Sequence, residues 1–569
     1  MIRRLIVISL LALMPGCVML LATQSRPAAS AAPPVLQGGS GTEAAHLAGE
    51  IEGLLVQAYG GAAPGAGMMV LDGDETVLLA AAGLADLEWQ VPATADTSFR
   101  VGSLSKPLTA IAILRRASGG VLDIDRPVSD YLPDLSDALG RPTLAQLLSH
   151  TSGLPDHFQL PDAPAIMRNP TTPGSIVDRM RDAEPLFPPG ERWAYSNFNY
   201  VLLGLVLEAT DPAGRDYGRI IEEDIFAPLG MTDSHYDRQS AVLPRRARGY
   251  DHDGEDVLNT VTFDPSHAYA AGALMMSAAD MVRLSRALMD GDLLPETWRA
   301  RAWSEASGPD GQGFGYGLGF NVGTLMGERV VWHNGSINGF QAAWLIQPQS
   351  GRAVAVLSNG YYRPNTTAMA RRALALLEGR RLPDLTAVSV SDAELAGLQG
   401  RYALADGRIL QIHVDGGARY NVDGGGWREL AATADGILFR PDSLTHIRPR
   451  RDDAGLVLVS GTTLAETVAE PVPGRVEGAR SGIPVSAAMA ARAAGNWRLA
   501  SGDIVRVRAG EAGALSLQLP QQPARRLVAE TPDRYFTRGA PIELTLQNEA
   551  GQAVLNLYGN PMPVTRAPD

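Results

Sequence analysis

The stretch "RVGSLSKPLTA", residues 100 to 110, contains Lys106, the only lysine in the chain; all other basic side chains are arginine. Most surface lysines tolerate replacement by arginine, because surface charge asks little of them. The chemical difference between the two is proton loss: arginine stays charged at any accessible pH, whereas a buried lysine can become neutral and act as a base. Lys106 follows Ser103 by three residues, so on a helix the two lie on one face. Pro107 fits only the first turn of a helix, where its missing N–H has no intrahelical partner. The helix is therefore expected to begin at Ser103, to turn Leu108, Ile111 and Leu114 inward, and to stop at "SGG", residues 118–120. A serine at such a helix start meets free N–H groups and a positive dipole end, which favour an alkoxide and offer an amide to a developing oxyanion. Serines are plentiful, so the Ser-x-x-Lys spacing gains its meaning only from what surrounds it.

The chain has 569 residues, 45% hydrophobic and 20% charged, the balance of a globular protein. At roughly 150 residues per domain it divides into two to four domains. A net charge of −13 argues against nucleic acid or an anionic membrane surface as the main partner. Arg3 and Arg4 precede the apolar run "LIVISLLALMPGCVMLLA", and the small, proline-rich "TQSRPAASAAPP" follows, the pattern of an export signal and spacer over residues 1–32. Pro15 and Gly16 interrupt the run and speak against a membrane anchor. The single cysteine, Cys17, lies in "MPGC", an imperfect match to a lipoprotein cleavage box. The expectation is an exported protein, periplasmic or extracellular, held at a membrane only if Cys17 is lipidated, and free of disulfides.

Residues 43–381 read as one domain. "TEAAHLAGEIEGLLVQAYG" spaces Leu47, Ile51, Leu54 and Leu55 on one helical face, and "GAGMMVLDGDETVLLAAAGLAD" reads as a hairpin turned at "DGDE". Residues 120–310 are expected to be mostly helical. Strands return in "GFGYGLGFNVG", "ERVVWHNG" and "FQAAWLIQPQSGRAVAVLSNG", and "TTAMARRALALLEGRR" closes the unit as a helix. This order makes an α+β domain with a helical insertion. Beyond it, "AGLQGRYALADGRILQIHVDGGARYNVDGGG" and "AARAAGNWRLASGDIVRVRAGEAGALSLQLP" run alike: a small-residue helix, Gly, an aromatic, a Gly turn and alternating strands. Their Gly-x-aromatic points, Gly400 and Gly495, lie 95 residues apart. Two small antiparallel β-barrels, residues 392–476 and 482–569, are expected.

Two further segments suit a site built on Ser103 and Lys106. "YSN", Tyr195 to Asn197, precedes the helical "YVLLGLVLEA"; its phenol could carry a proton, and its amide could fix Lys106 and a substrate carbonyl. "WHNGS", residues 332–336, lies on a strand where glycine lets another backbone approach, so the Ser336 N–H could be a second oxyanion donor. Taken singly, Tyr195 could be a core aromatic, Asn197 a helix N-cap and His333 a structural histidine.

Taken together, Ser-x-x-Lys, Tyr-x-Asn and His-x-Gly resemble, in order and approximate separation, the three active-site motifs of the serine β-lactamase-like hydrolases, a group that includes class C β-lactamases, D-aminopeptidases and related esterases. "LLSHTSGLPD", "FPPGERWAYSN", "PLGMTDSHY" and "YGLGF" resemble that family too, so the resemblance covers about residues 43–381. It implies a β-lactamase/transpeptidase-like antiparallel sheet flanked by helices, with Ser103 as nucleophile, Lys106 and Tyr195 in acid/base roles, and Asn197, His333, Gly335 and Ser336 binding substrate. The amides of Ser103 and Ser336 would form the oxyanion hole. Many relatives carry Lys-Thr-Gly as the third motif, where lysine helps bind a substrate carboxylate; here His333, Asn334 and Gly335 stand there, as in the His-x-Gly of D-aminopeptidases. The resemblance thus implies an acyl-enzyme hydrolase of small-molecule or peptide amides or esters, D-aminopeptidase-like, with esterase or β-lactamase activity as alternatives. A peptidoglycan- or peptide-binding protein without turnover is the reading from another class. The nine histidines show no paired ligand spacing and no phosphate-binding glycine loop follows a strand, so neither metal nor cofactor is expected.

Overall fold

The computed structural model describes residues 42–567, apart from 161–165, 254–255, 310, 312, 361–364 and 381–386, and, further on, 405–408, 423–427, 435, 440–445, 450–455, 460–465, 473–483, 500–503, 511–513, 520–524, 538–541, 548–550 and 558–559. The expected export segment and Cys17 lie outside the described residues, among which no helix is long and apolar enough to cross a membrane.

Six strands form the central sheet: β1 (Ala66–Asp72), β2 (Glu75–Ala82), β3 (Asn321–Leu325), β4 (Glu328–Ile337), β5 (Phe340–Gln347) and β6 (Arg352–Ser358). Their order is β3-β4-β5-β6-β1-β2, and every neighbouring pair is antiparallel. The first hairpin turns at Gly73, in the left-handed region (φ 57°), as "DGDE" predicts. Side chains alternate across the sheet with the period of two that strands impose. Met68, Val70, Ala343, Leu345, Val354 and Val356 enter one core with α1 (Thr42–Tyr59) and the closing helix Thr366–Leu377. Met69, Leu71, Ala342, Trp344, Ala355 and Leu357 enter the other, with α2 (Ser105–Ser118) and the remaining helices. Both faces are covered, so these strands read as continuous apolar runs.

The segment between β2 and β3 holds the helical insertion, including α3 (Leu144–Leu148) and α4 (Asn197–Ala209). It is less uniformly helical than expected. Phe99–Arg100, Leu274–Met276 and His235–Tyr236 pair as a three-stranded sheet, and Tyr250–Asp253 pairs with Asp256–Asn259. Strands of two to four residues are too short to display a period, which is why the sequence hides them.

The C-terminal region contains two closed eight-stranded antiparallel barrels. Gly400 opens the first barrel's first strand and Gly495 the second's. The first two strands pair in the same register under a shift of 95 residues: Gly400↔Ile412 corresponds to Gly495↔Val507, and Ala403↔Ile409 to Arg498↔Ile504. The closing contacts obey the same shift, Arg401↔Val472 and Asn496↔Ala567. The aromatics match as well: the Tyr402 hydroxyl donates to the Leu398 carbonyl at 2.9 Å, and the Trp497 indole N–H donates to the Ala493 carbonyl at 3.0 Å. The apparent sequence repeat is a structural one.

Candidate active site

Ser103 sits in a one-turn 3-10 helix, Gly102–Leu104, that leads directly into α2. The α-helix proper begins two residues later than the sequence suggests, because Gly102 adopts a left-handed conformation (φ 51°) and the chain must recover from it before regular helix starts. Ser103 is half-buried and Lys106, one turn on, is fully buried.

This turn lies against the sheet. β3 pairs with β4 as far as Asn321↔Trp332, and beyond that point the Gly102–Leu104 turn runs beside β4. Two glycines permit the contact. A Cβ on Gly335 would stand 1.8 Å from the Val101 carbonyl oxygen, and one on Gly102 would stand 2.9 Å from the Ser336 nitrogen. Any side chain at either position would push the turn and the strand apart.

Lys106 Nζ has three partners: Ser103 Oγ at 3.0 Å, Asn197 Oδ1 at 2.8 Å and the Ala271 carbonyl at 2.8 Å. The last two only accept. They take both N–H groups of a neutral amine and leave its lone pair facing the Ser103 hydroxyl. Burial pushes the Lys106 amine down to about 7, against the opposing pull of the Asp156 carboxylate. Desolvation does this alone: the charged neighbour is a carboxylate, which works the other way.

The Tyr195 hydroxyl donates to Ser103 Oγ at 2.8 Å. Burial raises its pKa, so it stays a phenol at neutral pH. Asn197 is the first residue of α4, with Ser196 at the N-cap, one position earlier than its N-cap reading. Its Oδ1 faces Lys106 because its Nδ2 donates to Asp156 Oδ2 at 2.7 Å.

The loop after α3 grips this segment at three further points. The Ala194 N–H donates to the His150 carbonyl at 3.0 Å, the Ser196 N–H donates to His150 Nδ1 at 3.2 Å, and the Ser196 hydroxyl donates to the Pro155 carbonyl at 3.0 Å. The His150 ring packs 4.3 Å from the Tyr195 ring, and burial holds its pKa well below the usual imidazole range. His150 accepts through Nδ1 and is neutral, so it serves as a wedge behind Tyr195.

His333 is also buried and neutral, its pKa pushed down to about 3, chiefly by desolvation. Its Nδ1 donates to the Asn334 carbonyl at 2.6 Å, which leaves Nε2 to accept from the Tyr316 hydroxyl at 2.9 Å. The imidazole therefore carries no charge toward a substrate.

Ser103, Tyr195, His333 and Ser336 line one cavity of about 330 Å³ together with Trp193, Tyr316, Asn321 and Asn334. The structure thus brings together every residue the sequence singled out: Lys106 and Asn197 lie behind Ser103, and Gly335 forms the seam between turn and strand. Sequence reasoning gave no role to Asp156, the Ala271 carbonyl, His150, Tyr316 or Trp193. Four of these five lie in the quoted stretches "LLSHTSGLPD", "FPPGERWAYSN" and "YGLGF", which marked the places without indicating the chemistry.

A family model described as Beta-lactamase matches residues 51–378. Penicillin-binding protein 4 of Amycolatopsis lactamdurans is 28% identical over 367 residues, covering 60% of this chain and 93% of its own. The crystal structure of D-amino acid amidase from Ochrobactrum anthropi SV3, complexed with L-phenylalanine amide, superposes with a TM-score of 0.51 at 27% identity, covering 59% of this chain and 99% of that one. The octameric penicillin-binding protein homologue from Pyrococcus abyssi, 20% identical, covers 91% of this chain and 99% of its own with a TM-score of 0.52, a likeness of fold.

Proposed function

The chain belongs to the Beta-lactamase family, and from that premise we propose that it is a serine hydrolase that forms and hydrolyses an acyl-enzyme on amide or ester substrates, with D-aminoacyl amides as the favoured class. The observation that carries the reading is the set of partners around Lys106 Nζ: two groups that only accept, Asn197 Oδ1 and the Ala271 carbonyl, and Ser103 Oγ, so that the amine in its neutral form leaves its lone pair to Ser103. A binding protein has no use for a buried amine brought to about 7 and set against a serine hydroxyl.

In the reaction, neutral Lys106 takes the Ser103 proton as Oγ attacks the substrate carbonyl. The backbone amides of Ser103 and Ser336 receive the oxyanion, which the close seam between turn and strand favours. Tyr195, held as a phenol, returns a proton to the leaving amine or alcohol, and the proton on Lys106 then restores the phenol. Water enters by the reverse sequence and releases the acid. No covalent group beyond Ser103 is needed.

The substrate class follows from the cavity. None of its described lining residues is cationic, and His333 is neutral, so no charge among them pairs with a substrate carboxylate. Trp193 and Tyr316 offer aromatic faces instead. This favours amides and esters that carry no carboxylate over penicillins or carboxypeptidase substrates. The kinship with a D-amino acid amidase adds stereochemistry to the reading. The apolar run after Arg3 and Arg4 supports export, as a cleaved protein or one lipidated at Cys17.

The test is labelling by a fluorophosphonate, with Ser103→Ala as control, followed by a panel of D- and L-aminoacyl amides and esters. A Ser103-dependent adduct with faster release from D-aminoacyl amides is expected. No adduct and no turnover on any amide, ester or β-lactam would sink the enzyme reading and leave the binding protein.

A further inference from the structure

We propose that Asp156 is a positioning residue: its Oδ2 holds the Asn197 amide in the one orientation that leaves the Lys106 lone pair to Ser103, and its charge is the counter-charge of the buried amine. The inference deepens the acyl-enzyme reading and, in its catalytic part, rests on it.

A primary amide has a donor end and an acceptor end of nearly the same shape, so something must choose between them. At Asn197 the chooser is Asp156. A carboxylate only accepts, and Asp156 Oδ2 lies 2.7 Å from Asn197 Nδ2; the amide oxygen is thereby turned to Lys106 at 2.8 Å. With the amide reversed, its NH₂ would point at Lys106. It would repel the charged amine, or donate to the lone pair of the neutral one and take that lone pair away from Ser103.

Asp156 is itself fixed. It is 9% exposed, and its other oxygen, Oδ1, accepts the Phe158 N–H at 3.1 Å, capping the short His157–Gln159 turn. The cap accounts for one oxygen and leaves the second unexplained except by Asn197. A capping role alone would be served equally well by asparagine or serine.

The charge has a separate effect. The groups facing the amine are Ser103, Asn197, the Ala271 carbonyl and the rings of Tyr195 and Tyr200, at 4.8 and 5.5 Å, none of them charged at neutral pH. Burial holds His150, His333 and His157 toward the neutral form, the last with Nδ1 3.6 Å from Asp156 Oδ1. Among the described residues, Asp156 is the charged side chain that acts on Lys106, and it favours the protonated amine. The site therefore balances a dry pocket that drives the proton off against a carboxylate that keeps it within reach.

The composition of the chain makes a direct test available. With Lys106 the single lysine, protein labelled with lysine carrying ¹³C at the ε position gives one side-chain resonance, whose pH titration reports this amine alone. In Asp156→Asn the midpoint should move to lower pH than in wild type, and Asp156→Glu should restore it in part. A variant that merely loosened or unfolded the site would expose the lysine and move the midpoint the other way, toward about 10.4. An unchanged midpoint in folded Asp156→Asn would overturn the proposal, whatever the enzyme does. In parallel, fluorophosphonate labelling of Asp156→Asn at its optimum pH should fall at least about tenfold. Normal labelling there would remove the positioning role while leaving the acyl-enzyme reading intact, and absence of labelling in wild type would remove that reading while the titration still decides the charge pairing.

Discussion

Lys106 Nζ and Ser103 Oγ face each other at 3.0 Å across one helical turn, with the amine wholly buried and its pKa pushed down to about 7. A base of this kind has to lose a proton to work, and a guanidinium does not do so.

Lys106→Arg puts a permanent cation where the working lysine is a neutral amine, and in the folded variant acylation should fall by about two orders of magnitude or more, the contribution of a well-placed general base. Labelling by a fluorophosphonate, read on a gel beside wild type, checks it; wild-type labelling in the variant would mean the lysine is not the base.

Acylation should depend on pH with an acid limb near 7. Below the lysine's folded pKa the amine is protonated and has no lone pair for Ser103; above it the rate should level off. Tyr195, raised by burial, stays protonated through this window and adds no limb of its own there. The labelling rate from pH 5 to 9 measures this.

The same depression shapes stability. Lysine in the unfolded chain binds its proton up to about 10.4, whereas the folded site releases it above about 7. Between those values the unfolded state holds more protons, so this group makes stability rise with pH, by at most about 1.4 kcal/mol per pH unit. Lys106→Met removes the dependence. Its stability gain over wild type should be largest below pH 7 and shrink toward pH 10, as urea melts at several pH values would record.

Gly335→Ala should separate the strand from the nucleophile's turn. The new methyl would fall 1.8 Å from the Val101 carbonyl oxygen, a backbone atom that cannot move aside alone. A loss of about 1–3 kcal/mol is expected, with labelling reduced at least about tenfold. Thermal melts with parallel labelling check both.

Tyr316→Phe removes the hydroxyl that donates to His333 Nε2 and leaves a buried nitrogen without a donor. The cost should be about 1–3 kcal/mol of stability. Because Ser103, Lys106 and Tyr195 are untouched, labelling of the folded variant should stay within a few-fold of wild type.

What the sequence made legible, and what it hid, divides by the kind of group involved. Lys106 announced itself by scarcity and by its distance from Ser103, and the three motifs recovered the neighbours whose side chains carry the chemistry. The Ala271 carbonyl left no trace, because a backbone acceptor has no residue signature. Asp156 was hidden for a different reason: one of its carboxylate oxygens caps the short His157–Gln159 turn, and the other finds its use only through Asn197, 41 residues on. The central sheet was visible as apolar runs between glycine turns, while the short strands at Phe99–Arg100, His235–Tyr236 and Leu274–Met276 were too brief to be seen. The barrels were recognisable because Gly400 and Gly495 open two segments of like pattern.

Those barrels also constrain how the chain acquires its structure. In each, the first strand finds its second neighbour only at the last strand, Arg401 with Val472 and Asn496 with Ala567. Hairpins between successive strands can form early and locally, but neither barrel loses its open edges until that most distant pairing is made, at the entropic cost of closing the largest loop in the unit. Until then each is a curled sheet with two bare edges, and two such sheets of like pattern in one chain offer each other a wrong partner. The slowest and most error-prone step in making this protein is thus expected in the two barrels, beyond the segment that carries Ser103, Lys106 and Tyr195.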